Sequence, residues 1–433
     1  MRDAAGATAE HTTKPPGAGG PWGNLEVALD PMAIVRDLAA LPHRGTTTPQ
    51  EAQAAQVLSD HLKRLGAEVH LESFATPRVY IWPVLWMLLG LIAGLLLAPL
   101  APRASLALAF VSAVLLFLYF DWRASPANYL APRGRSVNVI GRRATPGQKA
   151  ARTAILMAHY DSAPASLLYL PSLVRGFRRS LLISLALVAL APVLLLLGLL
   201  RIGEPVIGVL RIALALYFLV QGAMTAVDYL RLGYVNGAND NATGVGVALA
   251  TAARLWSDPP PDLEVQVVLT GAEEAGMVGS HSYHQAHRRE LDPNNTCLLN
   301  IDNCGAGRLC FVELTGMVTD VGYRNVLWRQ AKALASEPLF ADVKPGTWRT
   351  GDFDSIWFAR GGIPSLTIMA QDDWGCAPNL HRPTDAIDRV EPALVAHGVD
   401  FAEALVRRLA SSFSNEASPQ TDESIHRGER GVR

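Results

Sequence analysis

Cysteine is scarce, and its four copies, Cys297, Cys304, Cys310 and Cys376, never fall into the CxxC spacing of a structural zinc site or redox pair. They read as ordinary buried thiols, and their number demands no oxidising compartment. Net charge is nearly absent, at a formal −1. No basic run with interleaved aromatics is present to track a phosphate backbone, which argues against a nucleic-acid partner. Residues 1–22, rich in Gly, Ala, Thr and Pro, lack the apolar core of a secretory signal and predict a disordered start. Residues 411–433 predict a disordered tail, because their Ser, Glu, Arg and Gly can bury too little to fold. There is no internal repeat of the kind that builds solenoids or propellers.

What the chain has in abundance is apolar sequence, half of its 433 residues. Residues 81–100 and 104–120 are free of charge, with Arg103 in the short gap between them. A second pair, 180–200 and 205–227, is joined by a tip at 201–204. Uncharged runs of this length are rare in soluble helices, so they predict two transmembrane helical hairpins, each returning to its starting side, with membrane lipid as a partner. Arg211 is the exception inside the last span; a central arginine costs about 2.5 kcal/mol or more, so it either faces a helix partner or precedes the span. Trp82, Trp86, Tyr119 and Trp122 lie near span ends, where amphipathic rings favour the interface. Arg78, Arg123, Arg133, Arg135, Arg175, Arg178, Arg179 and Arg231 flank the spans on the side of the large segments, whereas the tips carry Arg103 and Arg201. Positive charge of that bias predicts a multi-pass integral membrane protein with its bulk in the cytoplasm.

Outside the spans, segments 23–80, 121–179 and 228–410 read as one interrupted domain. Short β-branched or apolar runs at 154–158, 263–270, 296–301, 309–314 and 363–369 predict strands. Helical patterns at 52–65, 243–256, after Glu274, at 323–335 and at 391–409 alternate with them. The expected class is α/β, a mostly parallel sheet flanked by helices on both faces.

Chemistry concentrates where those strands end. The first run leads into His159-Tyr160-Asp161, a metal-capable imidazole at the carboxyl end of a strand, with a carboxylate two residues on that can share its face and orient it. Taken alone, such a pair is more often structural. Asp240, the one carboxylate in the polar turn 237–244, could join two divalent ions about 3.5–4 Å apart through its two oxygens, or could simply cap the helix that follows. Glu273 and Glu274 stand after the next strand; one can ligate a metal while the other takes a proton from an attacking water, though an isolated pair would be a solvated helix start. Asp302 follows a further strand, and His381 lies in the loop 379–385. Nitrogen and oxygen donors without thiolate suit Zn²⁺ or a similar divalent ion.

This ordered series, His159, Asp240, Glu274, Asp302 and His381, resembles the M28 family of zinc aminopeptidases. His43-Arg44-Gly45-Thr46 and Leu65-Gly66-Ala67 look like the family's opening, and the likeness runs to Asp385. The resemblance implies two zinc ions, one held by His159 and Asp302, the other by Glu274 and His381, with Asp240 bridging. It implies Glu273 as general base, Asp161 as the catalytic support beside His159, and a peptide or protein substrate. The chain departs from the family at Gly351-Asp352-Phe353, where Ser-Asp-His is usual, and in carrying the two hairpins. Two alternatives on the same scaffold are a single-zinc glutaminyl cyclase, an acyltransferase, and a non-catalytic membrane receptor or chaperone.

Overall fold

The computed structural model describes residues 29–417 except 124, 130 and 145–149. The start 1–22 expected to be disordered lies outside the described residues. Nine strands form one sheet: β1 (Glu68–Pro77), β2 (Arg133–Arg142), β3 (Arg152–His159), β4 (Leu263–Thr270), β5 (Thr296–Ile301), β6 (Arg308–Thr315), β7 (Val321–Gly322), β8 (Lys344–Thr347) and β9 (Ser365–Gln371). The order is β1-β2-β4-β3-β5-β9-β6-β7, with β8 beside β6. The sheet is mixed, with a parallel centre as expected and antiparallel strands towards its edges. Strands β4, β3, β5 and β9 run parallel at the centre, while β1, β2, β6 and β7 enter through antiparallel pairings. Sequence reading finds the central strands because burial on both faces makes them continuously apolar. It misses β1, whose residues are largely exposed, and β2, whose buried stretch is interrupted by the polar Ser136 and Asn138.

Twelve helices accompany the sheet: α1 (Pro31–Ala39), α2 (Pro49–Arg64), α3 (Ile81–Leu97), α4 (Pro102–Phe120), α5 (Pro171–Val174), α6 (Phe177–Leu199), α7 (Val206–Leu232), α8 (Gly244–Ser257), α9 (Val278–His287), α10 (Val326–Leu334), α11 (Ile356–Arg360) and α12 (Pro392–Ala417). The last continues to Ala417, past the boundary at 410 expected from composition; 418–433 lie outside the described residues. Period-two alternation divides the core. Ala154, Leu156 and Ala158 of β3 join the cluster under α1, α8 and α12, while Ile155 and Met157 face Tyr283 of α9 and Phe358 of α11.

The helices α3, α4, α6 and α7 form a separate bundle with its own apolar core, α3 packing on α4 and α7, and α4 on α6. Three of them, α4, α6 and α7, are long and apolar enough to cross a membrane, and α3 is a shorter apolar helix of 17 residues. Register explains where the bundle sits. Pro77, the last residue of β1, pairs with Arg133, the first of β2, so the hairpin α3–α4 is inserted into a β-hairpin and must return to the edge it left. Strand β1 runs in the direction of β3, so this edge is also the carboxyl edge from which α6–α7 departs. Both insertions therefore stand over the end of the sheet that carries the polar residues.

Candidate metal centre

His159 is the last residue of β3 and its imidazole is buried. Nε2 lies 3.3 Å from Asp240 Oδ1, 3.8 Å from Asp302 Oδ1 and 4.0 Å from Glu273 Oε2. Its Nδ1 faces the Asp161 backbone carbonyl at 3.3 Å, closer than the Asp161 carboxylate at 3.6 Å. That carboxylate is instead engaged by the Glu273 and Glu274 amides at 3.0 and 3.1 Å and by the Thr46 hydroxyl at 2.8 Å. Asp161 thus fixes the turn that aims both glutamates, a role the two-residue spacing alone does not reveal.

On the other side of Asp240, Oδ2 lies 3.2 Å from His381 Nε2, which is 3.2 Å from Glu274 Oε2. His381 comes from a loop and holds a left-handed φ of 50°, a conformation that costs energy for a non-glycine residue and clusters at functional sites. The structure therefore brings together all seven residues singled out from sequence. Donor atoms of His159, Asp240 and Asp302 fall within 4.8 Å of one another, as do those of Asp240, Glu274 and His381. The two groups share Asp240.

Several residues that position this cluster carry no individual sequence signal. Asp385 accepts the backbone N–H groups of Asn239 and Asp240 at 2.7 and 3.1 Å. Asn303 donates to Asp302 at 2.7 Å and to Asp240 at 3.1 Å. Asp354 accepts from Thr270 Oγ1 at the end of β4. Arg44, fully buried, donates to the carbonyls of Tyr160, Asn236 and Gly237 at 2.6, 2.7 and 2.7 Å, clamping the segments that lead to Asp161 and Asp240. Thr48 caps α2 while Glu51 accepts the Thr47 amide, and the other Glu51 oxygen accepts from Ser136 and Ala272. The Tyr169 ring stands 4.3 Å from that of His381. At the departure from the family pattern, Asp352 accepts from Thr315 and Phe353 stacks on Trp348.

Burial and crowding of like charges set the electrostatics. Burial raises Glu273 well above the usual carboxyl range, with Glu274, Asp354 and Asp302 adding to it against His159. Burial also lifts Glu274 to about 7 and raises Asp302. Asp240 runs the other way: burial opposes its ionisation, but both imidazoles hold it low. For His381, burial opposes protonation and Glu274 and Asp240 overcome it, giving about 10; His159 is raised for the same reason. A pocket that recruits protons so strongly is short of positive charge. Buried Asp240 Oδ2 and Glu274 Oε1 also lack hydrogen-bond partners. Carboxylate and imidazole donors of this kind fit a divalent cation, which would take the place of the protons.

The sequence profile of peptidase family M28 matches residues 223–406. Through this segment the chain is similar to peptidase family M28. The matched segment holds five of the seven residues; His159 and Asp161 lie before the α6–α7 insertion. Aminopeptidase YwaD of Bacillus subtilis is 28% identical over 192 residues, 43% of this chain and 40% of its own length, so the chain spans about two fifths of that relative. A zinc aminopeptidase from Bacillus subtilis superposes with a TM-score of 0.54 at 15% identity, over 88% of this chain and 95% of its own. A Bacteroides thetaiotaomicron glutaminyl cyclase, bound to N-acetylhistamine, does so with 0.51 at 15% identity, over 88% and 97%. These likenesses, at 15% identity, show that the domain shares the fold of those two proteins.

Proposed function

We propose that the protein is a membrane-embedded, two-zinc metallopeptidase that acts as an aminopeptidase. The observation that carries this reading is the placement of Asp240, with Oδ1 3.3 Å from His159 and Oδ2 3.2 Å from His381. One carboxylate between two donor groups suits a pair of ions, with His159 and Asp302 on one and Glu274 and His381 on the other. When bound, the ions act as Lewis acids that polarise the scissile carbonyl and acidify water. Glu273 takes the proton of the attacking water and delivers it to the leaving nitrogen. Its carboxyl lies outside the two donor groups that share Asp240 and stands 4.0 Å from His159 in a third with Glu274, and Asp161 fixes its backbone. The shared carboxylate favours this hydrolase over a single-zinc cyclase, and the retained donors and base favour it over a non-catalytic receptor.

The bundle of α3, α4, α6 and α7 is read as the membrane anchor, and the arginines flanking it on the domain side support a cytoplasmic domain. Purified in detergent, the protein should hold close to two zinc ions per chain and hydrolyse aminoacyl amides but not N-blocked peptides. Glu273→Gln should keep the metal and lose turnover by about a thousandfold, as expected of a general base. Turnover unchanged in that variant, or a single ion per chain with cyclisation of N-terminal glutamine, would overturn the assignment.

A further inference from the structure

The cluster opens into a cavity of about 760 Å³ that continues between the lower halves of α3, α4, α6 and α7. Its walls differ in character. Ile81, Val84 and Leu88 of α3, with Leu116 and Phe120 of α4, make one wall aliphatic and aromatic. Facing them, Ser180 and Ser184 of α6 and Tyr217, Gln221 and Thr225 of α7 form a polar stripe on a wall that also carries Leu181, Leu185, Val220 and Met224. Three of these residues are tied together: Gln221 Nε2 donates to Ser184 Oγ and to the Tyr217 hydroxyl, each at 2.8 Å, and those two oxygens are 2.8 Å apart. Among the described residues no donor pairs with Gln221 Oε1. Polar side chains inside apolar helices are costly and rare unless they serve a function.

We infer that this chamber binds the substrate as an extended apolar peptide, its backbone laid on the polar stripe of α6 and α7 and its side chains on the aliphatic wall. The inference rests on the hydrolase reading above and specifies its substrate class. Stripe residues recur every four positions, about 6 Å along a helix. An extended peptide presents backbone groups of one face about every 6.6 Å, close enough for successive contacts. From Phe177 to Val188 the α6 wall runs roughly 17 Å at the helical rise, beyond the reach of one residue's side chain. An alkyl chain would draw nothing from the polar stripe, whereas a peptide would otherwise enter with unpaired amides. Charge selects the end that reaches the cluster. The lining includes Asp228 and Asp352 beyond the cluster and no Lys or Arg among the described residues, so a terminal ammonium is welcome and a carboxylate is repelled. The substrates are short apolar peptides with a free N-terminus.

The test uses the full chain in lipid nanodiscs with zinc. Leucine amide, which is too short to reach the stripe, reports the hydrolase itself. Against it are set an apolar tetrapeptide amide, a Ser/Gly-rich tetrapeptide amide and leucine dodecylamide. The apolar tetrapeptide should exceed the polar one at least tenfold in kcat/KM. Gln221→Leu should lower the ratio of apolar tetrapeptide to leucine amide about tenfold, the equivalent of one or two hydrogen bonds, with the melting temperature reporting the fold. Equal kcat/KM for the two tetrapeptides, an unchanged ratio in Gln221→Leu, or preference for the dodecylamide overturns the inference while leaving the hydrolase intact. If leucine amide is not cleaved, the hydrolase reading falls, and binding decides the inference separately. A fluorescent apolar tetrapeptide should bind Glu273→Gln about tenfold more tightly than Glu273→Gln/Gln221→Leu, and equal binding refutes it.

Discussion

Replacing Arg44 by Met tests the idea that the site is held from behind by one buried cation. The guanidinium closes three short bonds to carbonyls of residues 160, 236 and 237, and a longer one of 3.4 Å to Leu38. Burial pulls its pKa down to about 10, with Asp385, Asp161 and Asp240 opposing, so it stays charged at neutral pH. Hydrogen bonds from a charged donor contribute about 1.5–3 kcal/mol each, hence roughly 5–9 kcal/mol for three. Relief of the guanidinium's desolvation returns several kcal/mol of this, leaving a net loss of about 3 kcal/mol. For a domain of about 300 residues that lowers the melting temperature by roughly 5 °C. Because the clamped segments lead to Asp161 and Asp240, zinc content should fall as well. Arg44→Lys keeps the charge but cannot reproduce the fork, and should recover less than half of the melting-temperature loss. Thermal unfolding in detergent, with bound zinc measured in parallel, is the assay. A shift under about 2 °C for Arg44→Met, or a Lys variant equal to wild type, refutes the reasoning.

Other outcomes follow from the same geometry. Asp240→Asn removes the shared anionic ligand, so zinc retained after dialysis should drop to less than half of wild type, and full retention would show that Asp240 does not link two sites. Burial and the charge of Asp161 raise Glu51 to about 8. A carboxyl raised in the folded state gives stability that is complete below about pH 4.5 and is lost as pH climbs towards 8; Glu51→Gln should therefore flatten the fall in melting temperature across that window, and parallel curves would count against it. Because the four native cysteines are buried, Arg103→Cys and Arg201→Cys provide clean labelling sites. A membrane-impermeant maleimide should reach both from the face opposite the catalytic domain, and labelling of either from the domain's own side would contradict the proposed topology.

Most of the cluster was legible because the central strands are. Runs such as 154–158 and 267–269 are apolar on both faces, and polar residues soon after them must sit at the carboxyl edge, so His159, Glu273, Glu274 and Asp302 stand out in the sequence alone. Asp240 and His381 were weaker, being loop residues whose capping and ligating roles look alike in sequence. Asp354, Asn303 and Glu51 gave no such sign, since each acts on residues distant in the chain: Thr270, Asp240, and Ser136 with Ala272. The edge strand β1 escaped detection because a largely exposed strand lacks an apolar run, and β2 because the polar Ser136 and Asn138 interrupt its buried stretch.

The sequence by itself determined that two apolar hairpins interrupt an α/β domain and that nitrogen and oxygen donors recur at its strand ends, because both follow from local periodicity and residue chemistry. Only the tertiary structure decided that β1 and β2 pair antiparallel across an inserted hairpin, that Asp161 orients a turn as well as a ring, and that the cluster opens into a chamber polar on one wall. Those facts depend on which side chains meet across more than a hundred intervening residues, as Arg44 meets Tyr160 and Gly237. Spacing along the chain carries no record of such meetings.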